Sequence, residues 1–172
     1  AWHNLGHVRR AKGDFKGAEA AYQKAVELAP YYQSAWLNLA LLRMGSGDNK
    51  TAVTHLEKLL EFNSAHSEAW LNLGICRQIQ REFEPARKAF EQALALSPEE
   101  PRLWRHMAGL HRELLDNAGA ISCFRKALTL TPNDSDLWAE LISTLELESD
   151  LDGAEAAIAE GLVTVNGEIE LR

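Results

Sequence analysis

Five tryptophans recur at one fixed interval along this chain of 172 residues, each 34 residues after the one before. The residues around them recur as well: Leu or Met stands three residues after each tryptophan, and Ala stands sixteen residues after each. Self-similarity at a fixed period of roughly 20–50 residues marks a repeat architecture in which neighbouring copies share one core. We therefore interpret the chain as a tandem array whose units are anchored at Trp2, Trp36, Trp70, Trp104 and Trp138.

Each unit has the pattern of two helices joined by a tight turn. In the second unit, Trp36, Leu39 and Ala40 follow the i, i+3, i+4 spacing that places side chains on one stripe of a helix. A Gly-Asp step then breaks the chain in the first two units, as such dipeptides do. In the third unit, a second helix is expected to carry Pro85 in its first turn and to end before Pro98. The sequence thus predicts an all-α fold of ten helices with about 10–15 residues each.

These residues carry a resemblance to a known family. The signature Trp-x2-Leu-Gly, Ala-x3-aromatic-x2-Ala and Pro, spread over 34 residues, resembles the tetratricopeptide repeat. The resemblance covers the whole chain and implies a right-handed α-α superhelix of antiparallel helix pairs, a single array over residues 1–172. Its five units are residues 1–32, 33–66, 67–100, 101–134 and 135–168. Residues 169–172 are expected to begin a further helix, and we expect the chain to be a fragment of a longer protein.

The fifth unit departs from the signature. It has Ile142, Gly161 and Asn166 at three signature positions. Residues 135–172 also hold ten acidic residues and one basic residue, a balance of −9 in a chain whose net charge is −7. Because like charges repel and the signature is incomplete, we expect this unit to pack less regularly or to act partly as an end piece.

Composition excludes several classes of function. Since the chain is acidic and lacks a basic face, we exclude nucleic acid as a partner. A mean hydropathy of −0.27 with no long apolar run excludes direct membrane insertion. Cys76 and Cys123 are the two cysteines, too few for a disulfide scaffold or a four-cysteine zinc site, and we interpret them as buried thiols. No cofactor is predicted, and cytoplasm and periplasm both stay open.

Binding residues are expected on the side of each first helix that the core does not use. We call this register, two residues before and one, two, five and eight after each tryptophan, the outer stripe. The resemblance implies that it lines a concave groove. An apolar patch of the second and third units runs there towards arginines of the fourth, and such patches often mark partner sites; the alternative is that neighbouring helices cover it. The candidate residues are Asn4, Asn38, Asn72, Leu37, Leu41, Met44, Leu71, Ile75, Arg102, Arg105, His106 and Arg112.

The outer stripe also suggests the chemistry of the ligand. Asn4, Asn38 and Asn72 stand two residues after successive tryptophans, and an amide both donates and accepts hydrogen bonds. A row of them suits the main chain of an extended peptide, as in the similar asparagine ladder of a glycosyltransferase repeat domain. Arginines hold carboxylates bidentately. The predicted ligand therefore carries aliphatic side chains followed by acidic groups.

Catalysis has little support in this sequence. His3 and His7 stand four residues apart and could form one edge of a metal site, but no third ligand is apparent, and no Gly-rich phosphate loop, Ser/His/Asp order or HExxH motif occurs. We predict no catalytic residue and no bound metal. The main hypothesis is a protein-interaction scaffold. The alternatives are the substrate-recognition arm of a glycosyltransferase or sulfotransferase, and an assembly module of a cell-envelope secretion or polysaccharide-export apparatus that self-associates through its ends.

Overall fold

The computed structural model of the chain describes residues 1–167, which form ten helices. No strand occurs in this range, which confirms the predicted all-α class. The predicted start of a further helix at residues 169–172 lies outside the described residues. The helices are α1 (Trp2–Ala11), α2 (Phe15–Leu28), α3 (Gln33–Gly45), α4 (Asn49–Phe62), α5 (Ser67–Ile79), α6 (Phe83–Leu96), α7 (Pro101–Glu113), α8 (Asn117–Leu130), α9 (Ser135–Leu147) and α10 (Leu151–Gly167).

Helix length agrees with the expectation except at α10. The first nine helices have 10–14 residues, whereas α10 has 17. Helices α2, α6 and α8 end two residues before a proline, and proline disfavours helical geometry in the residue that precedes it. Helix α4 ends at the same register without a proline, two residues before Ser64, whereas α10, which has Asn166 there, continues to Gly167.

The helices form two compact units. Unit 1 is Ala1–Leu96, with α1 to α6, and unit 2 begins at Ser97, with α7 to α10. Within each unit, the extensive contacts join helices that are consecutive in the chain, as expected where each repeat is stabilised by its neighbours. No helix in the described part of the chain combines the length and the apolar character needed to cross a bilayer.

The tryptophans connect each repeat to the turn that precedes it. In four repeats the indole Nε1–H donates to the main-chain carbonyl oxygen six residues earlier, at 2.7–2.8 Å. Three of these carbonyls belong to prolines, and the fourth belongs to Ser64. Because the acceptor is a backbone atom, serine replaces proline without loss of the bond. The 34-residue period of tryptophan is therefore structural.

A second recurring contact involves the arginine seven positions after the second and the third tryptophan. Arg43 pairs with Asp48 at 3.5 Å and with Glu19 of the preceding repeat. Arg77 pairs in the same way with Glu82 and, at 2.6 Å, with Glu57 of the preceding repeat. Each arginine thus joins the end of one helix to the next turn and to the repeat before it.

The turn inside each repeat requires a left-handed backbone. Gly13 and Gly47 have φ of 79° and 81°, which confirms the Gly-Asp breaks. The other three repeats form the same turn with Arg81, Leu115 and Ser149, at φ of 59–61°. In four of the five repeats the following Asp accepts a hydrogen bond from the amide three residues later and caps the second helix.

Glycine on the first helix lets an aromatic ring of the second helix approach closely. A Cβ atom added to Gly6 or Gly74 would lie 2.4 Å from Cε1 of Tyr22 or Phe90, and both rings are fully buried. Gly161 has a related effect in the fifth repeat, where an added Cβ would lie 3.1 Å from Cγ of Trp138. Glycine in place of the signature alanine therefore allows the backbone of α10 to pack closely against the indole of Trp138.

The outer part of α10 is nevertheless more exposed than its counterparts. Ile158 is 43% exposed, although the residue at its register is fully buried in each of the other four repeats. Leu162 and Val163 are exposed as well. The fifth repeat is thus closely packed around Trp138, and its helix α10 exposes apolar side chains.

We predict opposite effects of alanine at two helical glycines. Gly74→Ala should lower the free energy of unfolding by about 1–3 kcal/mol because the methyl group overlaps Phe90. Gly109→Ala is the matched control, since its Cβ would meet no atom within 4 Å, and it should raise the free energy by about 0.5–1 kcal/mol through helix propensity. Urea unfolding measures both. Equal effects of the two changes would show that ring approach is not the reason for Gly74.

We also predict that glycine at position 115 stabilises the chain. Leu115 is 86% exposed, so its replacement loses no packing, and a left-handed residue with a Cβ costs about 1–2 kcal/mol. The Leu115→Gly variant should therefore be more stable than Leu115→Ala by about 1 kcal/mol. Thermal and urea unfolding of the pair measure the difference. Identical stability would contradict the strain inferred from the backbone angle.

Candidate functional site

In unit 1, the apolar residues of the outer stripe divide into two groups. Leu71 is only 3% exposed and belongs to the core, so we leave it out of the candidate site. Leu37 and Met44 are half-buried and pack against the core cluster of α3 to α6. Leu41 and Ile75 are also partly buried, but they do not belong to the side chains packed against that core cluster. These last two are therefore the apolar residues of this stripe that we retain as candidate contacts.

The asparagines of the stripe hydrogen-bond to their own helices. The Nδ2 atoms of Asn38 and Asn72 donate to the carbonyl oxygens four residues earlier, at 2.6 and 2.7 Å. Both side chains are 8% exposed, whereas Asn4 is exposed. One N–H of each amide is thus bonded to its own helix, which fixes the orientation of the side chain and makes its oxygen the acceptor of the group.

Two histidines and two tyrosines form a cluster beside Asn38. The Nε2 atoms of His3 and His7 lie 3.1 Å apart, and Nε2 of His3 lies 3.2 Å from Nδ2 of Asn38. The hydroxyl of Tyr32 lies 3.1 Å from Nδ1 of His3. The Tyr22 ring is within 6 Å of both imidazoles, and its hydroxyl is buried without a hydrogen-bond partner among the described residues. Only the histidine pair was evident from the sequence, because Tyr22 and Tyr32 come from other helices and turns.

These contacts are compatible with one protonation state of His3. If Nδ1 carries the proton, it donates to Tyr32, and Nε2 accepts from Asn38 and from His7. Burial lowers the pKa of His3 below its ordinary value, and the neighbouring His7 lowers it further. Burial and the neighbouring His7 thus both favour the neutral form of the His3 imidazole. In the part of the chain that the structure describes, no three metal-binding side chains come together.

The outer stripe of unit 2 is charged, and one of its arginines is already paired. Both Nε and Nη2 of Arg105 donate to Oε1 of Glu140, at 3.1 and 2.5 Å. These bonds raise the pKa of the Arg105 guanidinium. Arg102 is exposed and Arg112 is half-buried. The pKa of His106 is lowered, mainly by burial and to a smaller extent by the charge of Arg102. An acidic ligand would therefore meet Arg102 directly and would compete with Glu140 for Arg105.

Each unit also contains a cavity that the sequence did not predict. In unit 1, a cavity of about 400 Å³ is lined by Arg10, Phe15, Leu41, Leu42, Gly45 and Ser46. In unit 2, a cavity of about 500 Å³ lies beside Trp138 and has both Arg125 and Glu160 in its lining. Phe15, which forms part of the first cavity, is the first residue of α2 and lies outside the outer stripe. The tryptophan period therefore did not indicate that a cavity forms there.

Comparisons with known proteins agree with this architecture. The family described as "Cilia and flagella-associated protein 70 C-terminal domain" matches residues 1–162. No curated protein matches the sequence. The fold is similar to that of the MamA protein, with a TM-score of 0.88 and 22% identity over 98% of this chain and 92% of that one.

Two further solved structures have a similar fold. Pseudomonas aeruginosa pilF has a TM-score of 0.81 and 22% identity, over 95% of this chain and 74% of that one. A chain of the APC/C hetero-tetramer Cut9–Hcn1 has a TM-score of 0.76 and 20% identity, over 95% of this chain and 32% of that one. At this level of identity the likeness concerns the fold alone.

We predict that His3 titrates below the ordinary histidine range. A lowered pKa in the folded state means that the unfolded chain binds more protons as the pH falls, so the free energy of unfolding should decrease from roughly pH 7 to pH 5. An NMR titration of the imidazole C–H resonances measures the pKa.

The His7→Gln variant serves as the control for this titration. This variant should raise the pKa of His3 only part of the way towards the ordinary histidine value, because burial is a larger cause of the lowered pKa than His7 is. A wild-type His3 pKa at or above its ordinary value would contradict the neutral cluster.

Proposed function

Because the chain belongs to the Cilia and flagella-associated protein 70 C-terminal domain family, a tetratricopeptide-repeat family, we propose that it is a protein-interaction scaffold. It binds an extended segment of a partner protein on the outer stripe of unit 1. The observation that carries this proposal is that Leu41 and Ile75 stay partly exposed and do not pack against the core cluster of α3 to α6. Both are large aliphatic residues at a register that the helix pairs do not need to bury.

The surroundings of these side chains support an extended ligand. The amide oxygens of Asn38 and Asn72 stand at the neighbouring register, and their nitrogens are held by their own helices. Fixed acceptors of this kind suit main-chain N–H groups, whatever the ligand's side chains. Leu37 and Met44 widen the apolar surface. The proposed contacts are therefore aliphatic burial together with hydrogen bonds to the backbone of the partner.

A separate surface in unit 2 is proposed to bind acidic groups. Arg102 is exposed, and Arg112 is half-buried. Arg105 is held by Glu140, so an incoming carboxylate would replace one carboxylate by another at this guanidinium. Since such an exchange gains little, the net attraction of an acidic partner should come mainly from Arg102. We propose no catalytic role for the chain.

Aspartate substitutions test the aliphatic surface. A library of displayed random peptides is selected against the intact chain, and the enriched peptides are synthesised and titrated. Leu41→Asp and Ile75→Asp should together abolish binding at every salt concentration, because apolar burial worth about 25 cal/mol per Å² is lost and is not screened by ions. Leu28→Asp is the matched control, since Leu28 is 65% exposed on α2 and lies outside the stripe.

The Arg102→Ala variant tests the charged surface in the same assay. It should weaken binding chiefly at low salt, because ions screen exposed charge pairs. Enrichment of basic peptides, or unchanged affinity in the Leu41→Asp, Ile75→Asp double variant, would contradict the proposal. The exposed surfaces of the even-numbered helices would then become the candidates.

A further inference from the structure

The cavity of unit 1 has the composition of a pocket for a single side chain. Its volume is about 400 Å³, at the lower end of the range for ligand pockets. Phe15, Leu41 and Leu42 supply apolar surface, and Phe15 is 61% exposed. Leu42 packs against the core beneath it, which fixes one wall. The cavity is therefore too small for an extended ligand and apolar enough for one large side chain.

One cation stands at this cavity. Arg10 lines it, is exposed, and forms no ion pair among the described residues, in contrast to Arg9, which lies 3.9 Å from Asp14. The carboxyl end of α3 contributes Gly45 and Ser46, and its carbonyl dipoles disfavour an anion beside them. Arg10 is the one group of this lining that attracts an anion, so a negative group of a ligand is expected to pair with its guanidinium.

We propose that this cavity binds a large apolar side chain of a partner protein that is followed directly by a carboxylate residue. The apolar group enters between Phe15, Leu41 and Leu42, and the carboxylate pairs with Arg10. The proposal rests on the proposed function in that its ligand is a protein segment. It adds a specific anchoring site, which the sequence pattern did not contain.

Three capped dipeptides serve as probes. N-acetyl-Phe-Asp-amide, N-acetyl-Phe-Asn-amide and N-acetyl-Ala-Asp-amide are titrated at millimolar concentrations into the nitrogen-15-labelled chain. The first should give saturable shifts of the backbone amides of Leu42, Gly45 and Ser46. The second should bind roughly two- to fivefold more weakly, as expected for the loss of an exposed charge pair. The third lacks the apolar group and should give no saturable shift.

Gly45 offers a way to add an apolar side chain at the cavity without straining the fold. It belongs to the lining, and a Cβ atom at this position would meet no atom within 4 Å, so Gly45→Leu introduces no overlap. This variant should remain folded and lose the binding of N-acetyl-Phe-Asp-amide. The matched control is Gly109→Leu, since Gly109 is also helical and equally open and does not line this cavity. It should bind the probe as the wild type does.

The outcomes separate this proposal from the proposed function. Absence of saturable shifts, equal affinity for the Asp and Asn probes, or unchanged binding by Gly45→Leu would each overturn the cavity proposal. Ile75 does not line the cavity and reports on the outer stripe alone. If Ile75→Asp abolishes binding of library peptides while Gly45→Leu binds N-acetyl-Phe-Asp-amide normally, only the cavity proposal fails.

Discussion

The hydrogen bond from four of the five tryptophan indoles to a carbonyl six residues earlier fixes where one repeat ends and the next begins. Its acceptor lies in the turn after the preceding helix pair, so the first helix of each repeat can start only at one register. Once that register is set, Leu39 and Ala40 lie in the core. The outer stripe of the same helix is used by the core only in part: Leu71 is buried there, whereas Leu41 and Ile75 stay partly exposed. The positions that the core does not use are the ones whose composition is informative about function.

One position of this outer stripe shows how the same register acquires different chemistry. Two residues after tryptophan, Asn38 and Asn72 bond to their own helix, whereas Glu140 binds Arg105 of the preceding repeat. The backbone position is the same in each case, but the charge and length of the side chain determine the partner. Unit 1 therefore presents fixed neutral acceptors, and unit 2 presents a charge pair with which a ligand has to compete.

The sequence was sufficient for everything that depends on period and local chemistry. The helix pairs, the all-α class and the glycine turns at Gly13 and Gly47 follow from spacing and from the conformational freedom of glycine. The sequence did not allow us to predict which side chains contact one another across repeats. Nothing in the pattern distinguished Leu71, which is buried, from Ile75, which stays partly exposed. The same turn in Arg81 and Leu115 was also missed, because no local signal marks a left-handed residue other than glycine or asparagine.

The two surfaces of unit 1 make different demands on a ligand. An aliphatic stripe with neutral acceptors accepts many sequences, because burial and main-chain hydrogen bonds depend weakly on side-chain identity. A small apolar cavity beside Arg10 discriminates, because a charged residue placed in it would lose its hydration, and because a ligand without a carboxylate would lack the charge pair with the exposed Arg10 guanidinium. Specificity is a difference between affinities. In this chain, we therefore attribute affinity to the stripe that contains Leu41 and Ile75, and selection among ligands to the cavity beneath Arg10 and Phe15.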